Sequence, residues 1–164
     1  MRIKYPILLV FLFSFFSQGI LAQSVAYKTL LKGFYDKDFP LVYPDQDEIL
    51  QKAVLLDTRE IEEYRVSHLD GAMWVGYEDF SLERVKDISK DQPVVVYCSI
   101  GARSQDIGKK LKDAGFKEVY NLYGGIFHWV NEEKPVYSNN LPTKRIHAYS
   151  KSWGIWLNKG EKVY

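Results

Sequence analysis

The stretch from Val94 to Ser104, VVVYCSIGARS, decides the fold class of this chain of 164 residues. Its β-branched run follows Pro93 and is typical of a buried strand. An amphipathic helix is predicted after it, and Gly115 is placed to end that helix. Cys98 therefore lies where a strand ends and a short loop leads into a helix N-terminus. The unpaired N–H groups and the positive end of the helix dipole favour an anion there, and a cysteine thiolate is such an anion.

The segments on either side continue this alternation of short apolar strands and helices. Further strands are predicted at Leu41–Tyr43, Val54–Leu56, Ala72–Val75 and Glu118–Leu122. Helices are predicted over residues 25–34, Asp45–Lys52, Glu60–Val66, Ser81–Val85 (a single turn) and Ile126–Val130. Asp45 and Glu48 have the spacing of a capping box. The alternation predicts a doubly wound α/β fold, in which a mostly parallel five-stranded sheet carries helices on both faces.

The first 22 residues predict a signal peptide rather than part of this fold. Arg2 and Lys4 precede the short apolar run Ile7–Phe16, and Ala22 is the small residue that a signal peptidase needs. We therefore expect an exported protein, located in the periplasm or outside the cell. An uncleaved N-terminal anchor is the alternative, although the apolar stretch is short for a membrane span.

The mature chain then has three parts. An N-terminal helical segment covers residues 23–39, the α/β domain covers 40–135, and an aromatic-rich C-terminal extension covers 136–164. The extension contains Tyr137, Tyr149, Trp153, Trp156 and Tyr164. It is either a strap that packs its aromatic side chains on the domain or a docking surface for a partner.

Charge and cysteine content restrict the class of protein. Two of the 22 basic residues and none of the 21 acidic residues lie in residues 1–22, which leaves 20 basic and 21 acidic residues in the mature chain. That balance does not favour nucleic acid or a membrane surface as a partner. Cys98 is the single cysteine, so no internal disulfide can form, and an unpaired exported cysteine suggests a reactive thiol.

No cofactor and no metal are predicted. The three histidines are isolated from one another and from Cys98, and no glycine fingerprint for phosphate is present. We interpret His68 as a hydrogen-bonded turn residue. Asp57 and Arg59, at the end of a strand, are interpreted as an ion pair that braces a loop.

Four stretches of the chain carry a family resemblance. They are Leu55–Arg59 (LLDTR), Glu63–Tyr64 with His68–Ala72 (HLDGA), Val95–Ser104 (VVYCSIGARS) and Leu122–Trp129 (LYGGIFHW). In this order and spacing they resemble the single-domain rhodanese-like family of sulfurtransferases, of an exported bacterial type, over roughly residues 40–135. The resemblance implies a rhodanese-like fold with its reactive loop at the carboxyl end of a central strand, where ligands bind in open α/β sheets.

The resemblance also implies the roles of the residues in that loop. Cys98 would be the catalytic residue, which accepts a sulfane sulfur and becomes a persulfide. The residues that follow it would bind the substrate: Ser99, Ile100, Gly101, Ala102 and Arg103. Their backbone N–H groups would form an anion-binding nest, while Arg103 supplies a cation. The partners would be a small sulfur-donor anion such as thiosulfate and a thiol acceptor. The oxidising compartment expected for an exported protein suggests a thioredoxin-like reductant as a further partner that keeps Cys98 reduced.

Two other functions remain open. The same fold hosts phosphatases and arsenate reductases with a Cys and Arg loop, but those loops hold about five residues between Cys and Arg, whereas this chain holds four, Ser99–Ala102. The smaller cradle suits a sulfur atom better than a tetrahedral phosphate. The third possibility is a non-catalytic binding module, which the presence of both Cys98 and Arg103 disfavours.

Three further residues or pairs have structural interpretations. Ser104 is predicted to cap the helix after the loop. Gly124 and Gly125 are predicted to let a neighbouring loop pass close to the reactive one. Trp129 is predicted to lie in the core.

Overall fold

The computed structural model describes residues 25–164, so the predicted signal peptide at 1–22 lies outside the described residues. Residues 25–34 are helical (α1), as predicted. The compact unit that holds the site begins at Phe34 and runs to Tyr164. Between residues 25 and 164, no helix is long and apolar enough to cross a membrane.

A parallel sheet forms the centre of this unit. Within the described residues it has five strands in the order β1-β5-β4-β2-β3, with bounds Leu41–Val42 (β1), Val54–Asp57 (β2), Met73–Trp74 (β3), Val94–Tyr97 (β4) and Val119–Leu122 (β5). All five predicted strands are confirmed, and the pairing is parallel throughout. The order places β4, the strand that ends at Cys98, in the middle of the sheet.

Helices connect the strands. Their bounds are Asp47–Leu50 (α2), Ile61–Val66 (α3), Ala102–Asp113 (α4) and Gly125–Asn131 (α5), with a 3-10 helix at Leu82–Val85. All four residues of β4 are buried, as expected for a central strand covered on both faces. Val94 and Val96 pack in one cluster with Ile107 and Leu111 of α4. The predicted doubly wound α/β fold is confirmed.

The predicted capping box at Asp45 and Glu48 is wrong. The helix there is shorter than predicted and begins at Asp47, with Gln46 as its N-cap and no capping bond from a side chain. The Gln46 side chain instead accepts the N–H of Tyr43, and the Gln46 N–H donates to the Tyr43 carbonyl. These two bonds form a turn between Tyr43 and Gln46, so Asp45 lies in that turn and not in the helix. Glu60 and Glu63 form a capping box at the start of α3.

Two other helix predictions are also wrong. Ser104 lies inside α4 rather than at its N-cap, which is Gly101. Trp129 is only half-buried, and its indole N–H donates to the Pro135 carbonyl at 2.8 Å. An indole nitrogen needs a hydrogen-bond partner, and for Trp129 that partner lies outside the core. The core face of α5 consists of Ile126, Phe127 and Val130.

The C-terminal extension packs on the domain, as the strap interpretation predicts. It contains an antiparallel hairpin of Val136–Ser138 (β6) and Leu141–Thr143 (β7), a parallel pair of Arg145–His147 (β8) and Glu161–Val163 (β9), and the short helix Lys151–Gly154 (α6). Backbone hydrogen bonds between His68 and Tyr137 join the hairpin to the domain. The buried anchors are aliphatic (Ile146, Ala148 and Leu157), however, while Tyr149 and Tyr164 remain exposed.

Candidate active site

Cys98 directly follows the buried strand β4 and is itself only 1 % exposed. Its Sγ accepts the backbone N–H of Gly101 at 3.1 Å, so the chain curls back under the sulfur within three residues. Gly101 has φ +96°, a left-handed conformation that glycine adopts without strain. The helix α4 begins at the next residue, Ala102. The predicted arrangement of strand, short loop and helix N-terminus is thus observed.

The four carbonyls of residues 98–101 each accept a hydrogen bond from a group outside the reactive loop. The N–H groups of Ile126 and Phe127, at the start of α5, donate to the carbonyls of Cys98 and Ser99 at 2.9 and 3.1 Å. The hydroxyl of Tyr35 donates to the Ile100 carbonyl at 2.5 Å. The Asn121 amide donates to the Gly101 carbonyl at 2.8 Å. Since each trans peptide directs its N–H opposite to its carbonyl, the N–H groups of residues 99–102 point to the other side of the loop. On that side, the Gly101 N–H donates to the Cys98 sulfur.

Gly125 permits the close approach of α5 to this loop. A Cβ at Gly125 would lie 2.3 Å from the Cys98 carbonyl oxygen and 2.8 Å from the Ile100 nitrogen, and its φ is +56°. These contacts are with backbone, which cannot move aside as the end of a side chain can. The prediction that this glycine pair lets a neighbouring loop pass close to the reactive one is confirmed for Gly125.

Tyr35 is a half-buried residue that bridges two loops and that sequence reasoning missed. Its hydroxyl donates to Ile100 and accepts the N–H of Gly124 at 2.7 Å, so it joins the reactive loop to the turn before α5. Burial raises the pKa of Tyr35 far above its ordinary value, so the hydroxyl keeps the proton that it donates. Because Tyr35 is 65 residues from Ile100 in the sequence, no local pattern indicated this contact.

Arg103 is engaged by Glu63, a second residue to which sequence reasoning gave no role. Arg103 Nη1 and Nη2 donate to the two oxygens of Glu63 at 2.9 and 3.0 Å, and Ser99 Oγ donates to Glu63 Oε1 at 2.9 Å. Burial opposes ionisation of Glu63, but the hydrogen bonds and charge of Arg103 prevail and lower its pKa. Burial likewise opposes the charge of Arg103, whose pKa is nevertheless raised by Glu63 and by the Cys98 side chain. The cation predicted to bind an anion is thus already paired with a fixed carboxylate.

A small cavity opens beside the sulfur. Its volume is about 140 Å³, and it is lined by Cys98, Ser99, Ile100, Ala102, Arg103, Phe34, Tyr149 and Trp153. Five of the six predicted site residues therefore share one cavity, while Gly101 contributes its N–H from below the sulfur. The three aromatic residues were not predicted for the site. Two of them, Tyr149 and Trp153, come from the C-terminal extension.

At the end of β2, the neighbour of the reactive strand in the sheet, Asp57 and Arg59 form a fully buried ion pair. Arg59 Nη2 donates to Asp57 Oδ2 and to the Ser67 carbonyl, each at 2.6 Å. The prediction of an ion pair that braces a loop is confirmed. His68 is also confirmed as a turn residue, since its Nδ1 lies 3.0 Å from the Tyr64 carbonyl and its ring stacks on that of Tyr64.

Comparisons with known proteins show which family the sequence of this chain matches. The sequence model of the rhodanese-like domain matches residues 45–132. A thiosulfate sulfurtransferase, GlpE, from Coxiella burnetii is 36 % identical over 76 residues, which cover 46 % of this chain and 70 % of the relative. The uncharacterized protein YqhL from Bacillus subtilis is 29 % identical over 122 residues, which cover 74 % of this chain and 90 % of the relative.

A solved structure agrees with the fold. The crystal structure of a rhodanese-related protein from Thermoplasma volcanium superposes with a TM-score of 0.54 at 25 % identity, and the match covers 60 % of this chain and 98 % of that protein. The family match falls on the central domain. The whole C-terminal extension (136–164), including Tyr149 and Trp153, lies beyond the 45–132 match.

Proposed function

Since the chain belongs to the rhodanese-like domain family, we propose that it is a sulfurtransferase that acts through a persulfide on Cys98. It takes a sulfane sulfur from a donor such as thiosulfate and passes it to a thiophilic acceptor. The observation that carries the proposal is the Cys98 sulfur seated on the Gly101 N–H, in a loop whose carbonyls are all held from outside. That geometry offers fixed dipoles to a negative sulfur.

In the first half of the reaction the Cys98 thiolate attacks the outer sulfur of the donor. A new S–S bond forms to Cys98, the S–S bond of thiosulfate breaks, and sulfite leaves with the electron pair. The terminal sulfur of the persulfide carries the negative charge. The Gly101 N–H, which donates to the Cys98 sulfur, and the Arg103 guanidinium are the groups that we propose to stabilise that charge.

In the second half the acceptor removes the sulfur. An acceptor thiolate attacks the outer sulfur of the persulfide, forms its own S–S bond and releases the Cys98 thiolate. Cyanide would leave as thiocyanate by the same route. Donor and acceptor react in turn, so the kinetics are ping-pong. A thioredoxin-like protein is the partner that we propose for keeping Cys98 reduced in an oxidising compartment.

The position of Arg103 supports sulfur over phosphate chemistry. A guanidinium recognises phosphate best through two parallel N–H bonds. In this chain that fork is already occupied by the two oxygens of Glu63. A phosphoryl group would need either the Arg103 guanidinium or additional space for its peripheral oxygens. The loop of four residues between Cys98 and Arg103 offers little such space.

Paired assays test this assignment. The wild-type chain should transfer sulfur from thiosulfate or a thiosulfonate to cyanide or a thiol, and it should show negligible hydrolysis of a reactive aryl phosphate. Efficient aryl phosphate hydrolysis that depends on Cys98 would overturn the proposal in favour of a phosphatase.

We also propose export, on the basis of the basic and apolar segment that ends at Ala22. The chain, expressed with its own N-terminus in a secreting bacterium, should be recovered outside the cytoplasm. N-terminal sequencing should begin at Gln23. A recovered chain that retains residues 1–22 would indicate an anchor instead.

A further inference from the structure

The cavity beside Cys98 is largely apolar. Aliphatic atoms come from Ile100 and Ala102, and aromatic rings come from Phe34, Tyr149 and Trp153. An inorganic oxyanion such as thiosulfate gains nothing from such walls, since it must give up its hydration to enter. An apolar substituent on the donor would gain the full benefit of leaving water.

The volume of the cavity limits the size of that substituent. A closed apolar cavity of about 150 Å³ in another protein accommodates benzene. The cavity here measures about 140 Å³ and is open on one side. A substituent between a methyl group and a single six-membered ring fits this space, whereas a polypeptide chain does not.

Tyr149 is held over the site in an unusual conformation. Its φ is +63°, in the left-handed region that residues other than glycine rarely adopt. In this position its ring faces the guanidinium of Arg103 at 5.0 Å. Such backbone strain is concentrated at functional sites in proteins. Since Tyr149 remains 50 % exposed, burial alone does not explain why the chain adopts this conformation here.

Trp153 forms the neighbouring wall. Its N–H is capped by Ser150 at the start of α6, and its ring packs against that of Phe34 at 5.8 Å between centroids. The rings of Trp153 and Phe34 therefore form this wall together.

The charges around the cavity disfavour a doubly charged donor. Arg103 is paired with Glu63, and the carboxylate of Glu60 lies 3.8 Å from the same guanidinium. One cation thus faces two carboxylates. A dianion such as thiosulfate is therefore only weakly attracted to this site. A monoanion with an apolar group depends less on that electrostatic attraction.

From these observations, and resting on the proposed function, we infer that Tyr149 and Trp153 are specificity-determining residues that select a monoanionic sulfane sulfur donor with a small apolar group. Thiosulfonates, R–SO₂–S⁻, represent this class. The Cys98 thiolate attacks the terminal sulfur, the S–S bond to Cys98 forms, and the bond to the sulfonyl sulfur breaks. The electron pair leaves with the sulfinate R–SO₂⁻, so no oxidant, reductant or proton is required.

The test compares two donors that differ only in the apolar group, benzenethiosulfonate and methanethiosulfonate, with thiosulfate as the dianionic reference. The rate of sulfur addition to Cys98 is followed by intact mass in the full chain. Wild type should react about tenfold faster with the benzene than with the methane compound, which corresponds to about 1.4 kcal/mol. Tyr149→Gly and Trp153→Ala should each remove most of that ratio. Glycine is chosen because it accepts the positive φ of residue 149 without strain.

Control variants separate loss of the ring from other effects. Tyr149→Phe keeps the ring and should keep the ratio, and so should Leu141→Ala, which removes an exposed apolar side chain from the hairpin. Equal rates for the two thiosulfonates in wild type, or a ratio that Tyr149→Gly and Trp153→Ala leave unchanged, would overturn the inference alone. A chain that accepts sulfur from none of the three donors would overturn the proposed function as well.

Discussion

Cys98→Ser should abolish sulfur transfer, with a loss of roughly a thousandfold or more in turnover. A serine hydroxyl is not ionised at neutral pH, and its oxygen cannot store a sulfane sulfur. The smaller oxygen can still accept the Gly101 N–H that the sulfur accepts at 3.1 Å, so the loop should keep its shape. Turnover is measured with thiosulfate or a thiosulfonate as donor and cyanide as acceptor.

The fold of this variant must be shown separately. The four bonds that hold the loop carbonyls do not involve the Cys98 side chain, and we expect thermal unfolding close to that of wild type. A folded Cys98→Ser chain that turns over near the wild-type rate would exclude the persulfide mechanism.

Asp57→Ala should destabilise the chain by about 3–5 kcal/mol. This is the largest stability effect that we expect from a single substitution of a buried residue. The variant leaves the Arg59 guanidinium fully buried without its counterion. Burial disfavours the charged guanidinium, whereas Asp57 more than offsets this and raises the pKa of Arg59, so removal of the carboxylate exposes the full cost of the buried charge. The measurement is the free energy of unfolding in urea.

Two companion variants make this result specific. Asp79→Ala breaks the exposed ion pair with Arg84 and should leave the unfolding midpoint nearly unchanged. Asp57→Ala combined with Arg59→Met removes both charges and should recover part of the loss, because an apolar pair needs no counterion. If Asp57→Ala proves as stable as Asp79→Ala, the buried pair does not brace the domain.

The sequence predicted the reactive segment well because its signals are local. A β-branched run, a cysteine, a glycine and an amphipathic helix follow one another within about twenty residues, and each has a short-range physical preference. The same holds for the Asp57 and Arg59 pair, whose two partners are neighbours in the chain. Parallel pairing also followed from the alternation of strands and helices.

The surroundings of the sulfur could not be predicted in the same way. Tyr35, Asn121 and Tyr149 reach the loop or the cavity from distant parts of the chain, and only the tertiary fold brings them there. Glu63 carried a signal, since it has capping-box spacing from Glu60. That signal accounts for a helix start, however, and does not indicate that the same carboxylate pairs with Arg103.

The errors in helix capping share one cause. The pattern at Asp45 and Glu48 satisfies a local rule, but the side chain of Gln46 forms a competing turn with Tyr43. Ser104 likewise has a cap-forming side chain, yet it donates to Asn121 Oδ1 inside the helix α4. Short polar side chains choose between local and tertiary partners, and the sequence alone does not decide between them.

The central claim is that Cys98 carries the transferred sulfur, and intact mass spectrometry tests it most directly. The purified chain is treated with one equivalent of thiosulfate or a thiosulfonate without an acceptor, and peptide fragmentation locates the added mass. The account predicts one added sulfur atom per chain, located on Cys98 and removed by cyanide or a thiol. An unchanged mass with every donor, while Cys98 remains free to react with an alkylating reagent, would contradict it.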